Sequence, residues 1–494
     1  MSLGLGLGLG LSVGLTTLAR FVQSLFAGGD RVGWAHWYDS PSLYPGGNHL
    51  YLYQDSAGTT PVTAVGQSVG LVLDRAYGGR TEASLLANGA TGLTGTATAA
   101  SYSTTTFAGS VSRAGDASNQ SWVTWTGLTT SAIHRIRITN TGATSLDVRN
   151  GGVAGTIVAS IAAGATSYVH PLTSGGSTSI TITATANSTT ATFTLSQFAA
   201  VPGTHLIQAT SASRPTLSAR VNLLLNTATM STQNVTTIAA SYKLSFTGTG
   251  TVTLSGTSTA GPLVGTGAND RVSLTFTPTA GTLTLTVSGT VALADLRTAD
   301  DAAQNIPSYQ RVGATASDHD TDGFPHGSYP DGTDDFDTSS TGGGGTTGFF
   351  FCGVLTVSGG AGTSRTIWSD TGTNTGYRVR INSSNKLELA AGNGTAYTTV
   401  QSHETITAPG TYLLSAWDDG GVLAVQVGNA AAATTTRPTV SAGTSAITSY
   451  RHNGAATSYF NGRDYGSVYR QSYPGETAHG RLKSWLSRNA GITV

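Results

Sequence analysis

Residues 318–340, DHDTDGFPHGSYPDGTDDFDTSS, form the densest acidic run in a chain that is otherwise poor in charge. Asp318, Asp320 and Asp322 alternate ahead of Gly323, which is the first half of a calcium loop: alternate carboxylates turn to one side and glycine permits the bend. The second half does not follow, since the twelfth position is Tyr329 instead of glutamate, although Asp331, Asp334 and Asp335 supply further carboxylates. The run therefore admits two readings. One is a calcium site on Asp318, Asp320 and Asp322, or a non-standard one that uses Asp331, Asp334 or Asp335, and the other is a turn whose carboxylates cap exposed backbone amides.

Everything beyond this run reads as one β domain, residues 317–494. Thr347–Leu355, Tyr377–Ile381, Leu387–Leu389, Tyr412–Trp417 and Val422–Val427 are rich in β-branched and aromatic residues and follow one another as strands. Asp418-Asp419-Gly420-Gly421 supplies the hairpin turn between the last two. Ala478, Leu482, Trp485 and Leu486 fall at helical spacing, Arg481, Lys483 and Arg488 suit the negative end of a helix, and Gly491-Ile492 can close it in a Schellman motif. The single cysteine, Cys352, excludes an internal disulfide and, inside an apolar run, reads as a buried inert thiol.

Two runs of short alternating strands precede this domain. The first includes Ser121–Trp125, His134–Ile138, Ser179–Thr183 and Ala191–Leu195; the second includes Ser241–Phe246, Arg271–Phe276 and Thr282–Val287. Regular short strands with turns between them imply sandwiches or jelly rolls. Leu283–Leu296 echoes Ala191–Val201, which suggests two related modules joined by a linker at 208–215. A length of 494 residues agrees with roughly three or four domains. Charged residues are 10 % of the chain against roughly 25 % in ordinary soluble domains, so Ser, Thr, Asn and Gln must supply the polar surface. The 25 basic and 25 acidic residues leave no net field to steer the chain toward nucleic acid or an anionic membrane.

Leucine alternates with glycine from Leu3 to Leu11, a period of two that gives a strand apolar on one face and bare on the other. A signal peptide would place a cation before the apolar stretch, and the first is Arg20. The interleaved glycines, each costing about 1 kcal/mol in helix propensity, argue against membrane insertion as a helix. From Leu15 the spacing turns helical through Leu18, Ala19, Val22, Leu25 and Phe26. This pair of elements reads as an anchor with Leu5, Leu7, Leu9, Val22 and Phe26 as its side chains, or as a helix that packs on its own domain.

Four segments carry a resemblance. Leu50–Val62 with Val69–Asp74 resembles the LYQDSAGTTPVTAVGQPVGLVLD stretch near the start of phage-encoded virion proteins, and Gln208–Pro215 is similar to their QATSAARP segment. Gly323-Phe324-Pro325 with Asp331–Phe336 resembles the GFP…FDGVDD opening of laminin-G or concanavalin A-like domains that end tailed-phage structural proteins. Gly480–Leu486 with Ala490-Gly491-Ile492 is similar to their closing helix and YGI tail.

The strand pattern and the resemblance together give a mainly β protein: an N-terminal anchoring region (1–90) with one short helix, β-sandwich modules at 91–207 and 216–300 read from the strands, and a lectin-like sandwich with a terminal helix at 317–494. It implies a tail, collar or head fibre on the virion surface that holds other virion proteins through its N-terminus and presents the lectin-like domain to host surface glycan. Such fibres are commonly homo-oligomers, with a trimer favoured, but no heptad pattern here argues for a strand number. In such domains a face or rim binds glycan, often on an aromatic platform, for which Trp368, Tyr377, Trp417 and Tyr459 are the candidates.

A capsid decoration protein and a polysaccharide depolymerase are the alternatives. Catalysis is not expected. Glycoside hydrolysis needs two carboxylates about 5 to 10 Å apart, and Glu82, Glu388, Glu404 and Glu476 lie in separate segments. There is no nucleophile elbow, phosphate loop or paired Cys and His set.

Overall fold

A computed structural model describes residues 21–26, 33–44, 49–76, 84–94, 100–113, 120–128, 132–173, 178–185, 189–201, 203–319, 322–340, 345–359, 362–372, 374–443, 446–450 and 458–493. Leu5, Leu7, Leu9 and Asp320 lie outside the described residues. Among the described residues the strands pair antiparallel into six sheets, which share cores two by two to make three sandwiches.

The largest sandwich carries an eight-stranded sheet in the order Thr216–Ser218, Gly327–Tyr329, Gly462–Arg470, Phe349–Val357, Gly410–Asp418, Val422–Val427 and Ala433–Thr436, with Trp34–Trp37 also paired to Gly462–Arg470. Its partner sheet runs Leu52–Tyr53, Leu71–Val72, Leu206–Ile207, Asp337–Ser339, Thr448–Ser449, Arg365–Ser369, Thr375–Ile381, Leu387–Asn393 and Tyr397–Gln401. Trp34, Phe349, Phe351, Trp368, Tyr377, Leu389, Leu414 and Tyr469 pack between them.

An N-terminal region at 1–90 separate from a domain at 317–494 is therefore not what the chain forms. Trp34–Trp37 adds a strand to the C-terminal sandwich, and residues 52–72 and 206–218 supply four more. Local sequence hides this, because the pairing is decided by a bulge far away. Tyr465 is the extra residue between the pairs Val354↔Gly466 and Leu355↔Asp464, so its ring joins the outer cluster while that of Tyr469 joins the inner core. Gly466 sits at φ 148°, and a Cβ there would lie 2.9 Å from the His36 carbonyl oxygen. Glycine is what lets the N-terminal strand approach.

Leu71–Val72 pairs with Leu206–Ile207, and Thr216–Ser218 with Gly327–Tyr329. Each smaller sandwich thus occupies the loop of a hairpin in the large one. Such insertions cost little, because closure entropy grows only slowly with loop length. The stretch at 208–215 is not a loose linker: Arg214 donates to the carbonyls of Gln208, Ala209 and Gln54 and fastens it to the large body.

The first inserted sandwich faces a five-stranded against a five-strand path plus Leu172–Thr173, around Val123, Trp125, Ile136, Phe193 and Phe198. The second faces four strands against three, around Leu244, Phe246, Leu254, Leu285 and Leu296. The echo between Ala191–Val201 and Leu283–Leu296 is not a shared topology. The former lies within one strand, Thr189–Val201, whereas the latter spans Gly281–Ser288 and Val291–Thr298, which belong to opposite sheets.

Glu476–Asn489 forms the closing helix, with Leu482, Trp485 and Leu486 packed on Phe350, Cys352, Val354, Trp417 and Val468 of the outer sheet face. Gly491 N–H donates to the Arg488 carbonyl and Ile492 N–H to that of Ser487, the two bonds of a Schellman motif. Burial pushes the Cys352 thiol up to about 12, which makes it inert as expected.

Trp34→Ala is expected to destabilise the large sandwich by about 3 to 5 kcal/mol, the cost of emptying a buried tryptophan site. Urea unfolding followed by fluorescence measures this. A loss below about 1 kcal/mol would mean that the N-terminal strand is dispensable.

Candidate functional site

The acidic run is the corner by which the chain crosses the large sandwich, from Gly327–Tyr329 in one sheet to Asp337–Ser339 in the other. It gathers Asp331, Asp334 and Asp335, with carboxylate oxygens within 4.8 Å of one another. These are the carboxylates of the non-standard site, not the Asp318, Asp320 and Asp322 set. Asp318 is exposed with Arg311 3.7 Å away, and neither it nor Asp322 belongs to the group. Each of the three gathered carboxylates accepts an internal hydrogen bond: Asp335 from Asp331 N–H at 3.0 Å, Asp331 from Thr333 N–H at 2.7 Å, and Asp334 from the Ser213 hydroxyl at 3.0 Å. The group caps a turn, and its all-oxygen donors are also the kind that calcium takes. Burial first, then the charges of Asp331 and Asp334, raise the Asp335 carboxyl to about 6.

Asp337, two residues further, is 1 % exposed, and neither of its carboxylate oxygens has a hydrogen-bond partner among the described residues. Burial, followed by the charges of Asp335 and Asp464, pushes it up to about 8. Asp464 accepts from the Tyr450 hydroxyl and from Gly466 N–H, both at 2.8 Å, and burial raises it to about 6. The Tyr38 hydroxyl lies 3.4 Å from that of Tyr450. A buried acid is stable here in its neutral form.

The candidate aromatic residues do not form a platform. Trp368 and Tyr377 point into the core, where the Tyr377 hydroxyl donates to Asp418 at 2.7 Å. Trp417 lies on the outer face beneath Tyr473, stacked at 5.5 Å, and His479 at 5.1 Å. Tyr459 is half-buried elsewhere. Large rings bring the most apolar area to a core, and the packing here uses three of the four for that. Val22 and Phe26 are buried in the outer apolar cluster that also holds Leu482, Trp485 and Leu486 of the closing helix, with Arg470 over the Phe26 ring.

A cleft of about 270 Å³ lies on the outward face of the second inserted sandwich, where the chain returns to the large one. In register, Lys243 stands opposite Arg297, and Ser245 stands between Ser273 and Asp295. Arg271 donates to the Ser245 hydroxyl at 2.7 Å and to the Leu293 carbonyl at 2.6 Å. Arg297 grips Asp295, with Nε to Oδ1 at 2.6 Å and Nη2 to Oδ2 at 2.5 Å, and Gln310 N–H donates to Asp295 at 2.9 Å. Ala302, Ile306 and Ser308 form the far wall. Sequence reading missed this site. The alternation Ser241–Phe246 and Arg271–Phe276 shows that Lys243, Ser245, Arg271 and Ser273 face outward, but not that three strands bring them together.

No family model and no curated protein matches the chain. Among solved structures, the Ruminococcus gnavus IT-sialidase CBM40 bound to alpha2,3 sialyllactose aligns at 9 % identity over 28 % of this chain and 83 % of that one, with a TM-score of 0.25. The botulinum neurotoxin serotype C1 binding domain aligns at 14 % identity over 28 % of this chain and 37 % of that one, with a TM-score of 0.24. The β-sandwich assignment rests on the strand pairing and shared cores described above.

Asp337 titrates far above the 3.8 of a free carboxyl, so the folded state holds the proton more tightly than the unfolded one. Its contribution to stability is full below about pH 4 and is lost as the pH rises through about 8, with a slope of about 1.4 kcal/mol per pH unit for one proton. Asp337→Asn, which keeps the shape without the charge, is expected to flatten this decline in urea unfolding measured across the range. An unchanged slope would remove Asp337 as its source.

Proposed function

We propose that the chain is a tailed-phage virion structural protein, a fibre or appendage whose large lectin-like sandwich binds host surface glycan. One observation supports this above others. The four segments that resemble phage proteins, separated in sequence by two whole modules, fold into one body: Arg214 donates to the Gln54 carbonyl, Ser213 to Asp334 and Gln208 to the Phe336 carbonyl, and the closing helix covers the outer sheet face. Residues that share a resemblance and then share a fold behave as one functional unit. In this reading the protein acts without catalysis, assembles with other virion proteins as a homo-oligomer, a trimer favoured, and stands at the particle surface.

The test uses the full chain, because fragments cut at 90 or 317 would divide the large sandwich. The chain is expected to bind a subset of bacterial surface polysaccharides on a glycan array, leave their size unchanged by gel filtration, and be labelled by antibody on intact tailed particles. Particle labelling without any glycan retained would replace the reading with a decoration protein. Shortening of a bound polysaccharide would replace it with a depolymerase.

A further inference from the structure

We propose that the cleft on the second inserted sandwich binds one carboxylate-bearing sugar residue. The proposal rests on the glycan-binding half of the reading above and adds a place and a ligand class to it. The lining holds three cations, Lys243, Arg271 and Arg297, against one carboxylate, Asp295, in a chain with no net charge. That carboxylate is spent: Arg297 holds both of its oxygens and Gln310 N–H one of them. It lies closest to Arg297, and with one acid for three cations the lining keeps an excess of positive charge.

Those two cations are placed differently. Arg271 is fixed by the Ser245 hydroxyl, the Leu293 carbonyl and the Tyr309 ring, 5.5 Å from its guanidinium carbon. Burial lowers its pKa, which is the strain that an anion in the cleft relieves. Lys243 is exposed, and its side chain makes no hydrogen bond or ion pair among the described residues. A preformed guanidinium and a free ammonium lining one cleft suit a carboxylate arriving from solvent.

The rest of the lining fits a sugar. Ser273 and Ser308 offer hydroxyls to ring hydroxyls, while Ala302 and Ile306 give an apolar wall for a ring face. The volume of about 270 Å³ lies just below the usual range for drug-sized ligands, which suits one monosaccharide. Inorganic phosphate would use the cations and leave that wall and the hydroxyls idle.

The experiment is titration of the full chain with methyl glucuronide, methyl glucoside and inorganic phosphate, followed by calorimetry. Methyl glucuronide is expected to bind at least about tenfold more tightly than methyl glucoside, the worth of one charged hydrogen bond. Lys243→Ala, at an exposed position, should weaken it by about tenfold, and Ser273→Ala should weaken the glucuronide without restoring preference for the glucoside. Equal binding of the two sugars, or no effect of Lys243→Ala, overturns the proposal. Phosphate that binds as well as the glucuronide and displaces it reduces the cleft to an inorganic-anion site, which also overturns it. Failure here with array binding intact leaves the lectin-like reading standing. Glucuronide binding without any array binding does the reverse.

Discussion

The carboxylate of Asp74 is the pin on which the large sandwich closes. It is buried and accepts backbone N–H groups from three separate places: Ala35 at 3.0 Å, Ala76 at 2.8 Å and Thr204 at 2.9 Å. Its own N–H donates to Nδ1 of His205 at 2.9 Å, and the other ring nitrogen of that histidine meets the Val201 carbonyl. Those partners demand one neutral tautomer, and burial holds the imidazole down to about 4. A buried charge without such partners would cost several kcal/mol, so the N-terminal strand, the exit to the first module and the return from it are set together. Arg75 extends the pin by lying over Trp37 and Tyr51 and pairing with Asp39 at 2.6 Å.

Both ends of each insertion are held by hairpin strands, and each smaller sandwich has an apolar core of its own. The first is also joined to the large body by a cluster in which Ile133 and Val201 meet Tyr53, Leu71 and Leu73. The second is held by hydrogen bonds. Arg297 donates to the Pro307 carbonyl, Gln304 to the Thr411 hydroxyl at 2.9 Å, and Asn305 N–H to the Gly491 carbonyl at 2.8 Å. These contacts bring residues 302–308 across the outward face of the module's three-stranded sheet and turn a flat polar surface into a cleft. All the lining residues belong to the inserted module, and the contacts of Gln304 and Asn305 with the large body hold the far wall in place.

Two places in this low-charge chain hold an excess of one sign. At the corner of the large sandwich carboxylates crowd until burial and mutual repulsion favour their protonated forms, while at the cleft cations outnumber their acid. Other charges are paired, as Arg380 with Glu388 and Arg437 with Asp418, and hydroxyl ladders such as Thr124 with Thr181 and Thr139 with Thr166 supply polar contact without charge.

Much of the architecture was legible in local pattern. Strand alternation placed the β elements, Asp418–Gly421 marked a real hairpin, and Gly491-Ile492 marked a real helix stop, because each depends on neighbours within a few residues. The sequence by itself also determined which side chains of Ser241–Phe246 and Arg271–Phe276 face outward, since a strand has a period of two. Only the tertiary structure decided that Trp34–Trp37 belongs to the last strand, that Trp368, Tyr377 and Trp417 are core instead of platform, and that Lys243, Arg271 and Arg297 share a cleft. Those facts turn on pairings between residues far apart in the chain, whose register follows from burying the most apolar surface and satisfying every buried amide at once, and no local window contains both partners.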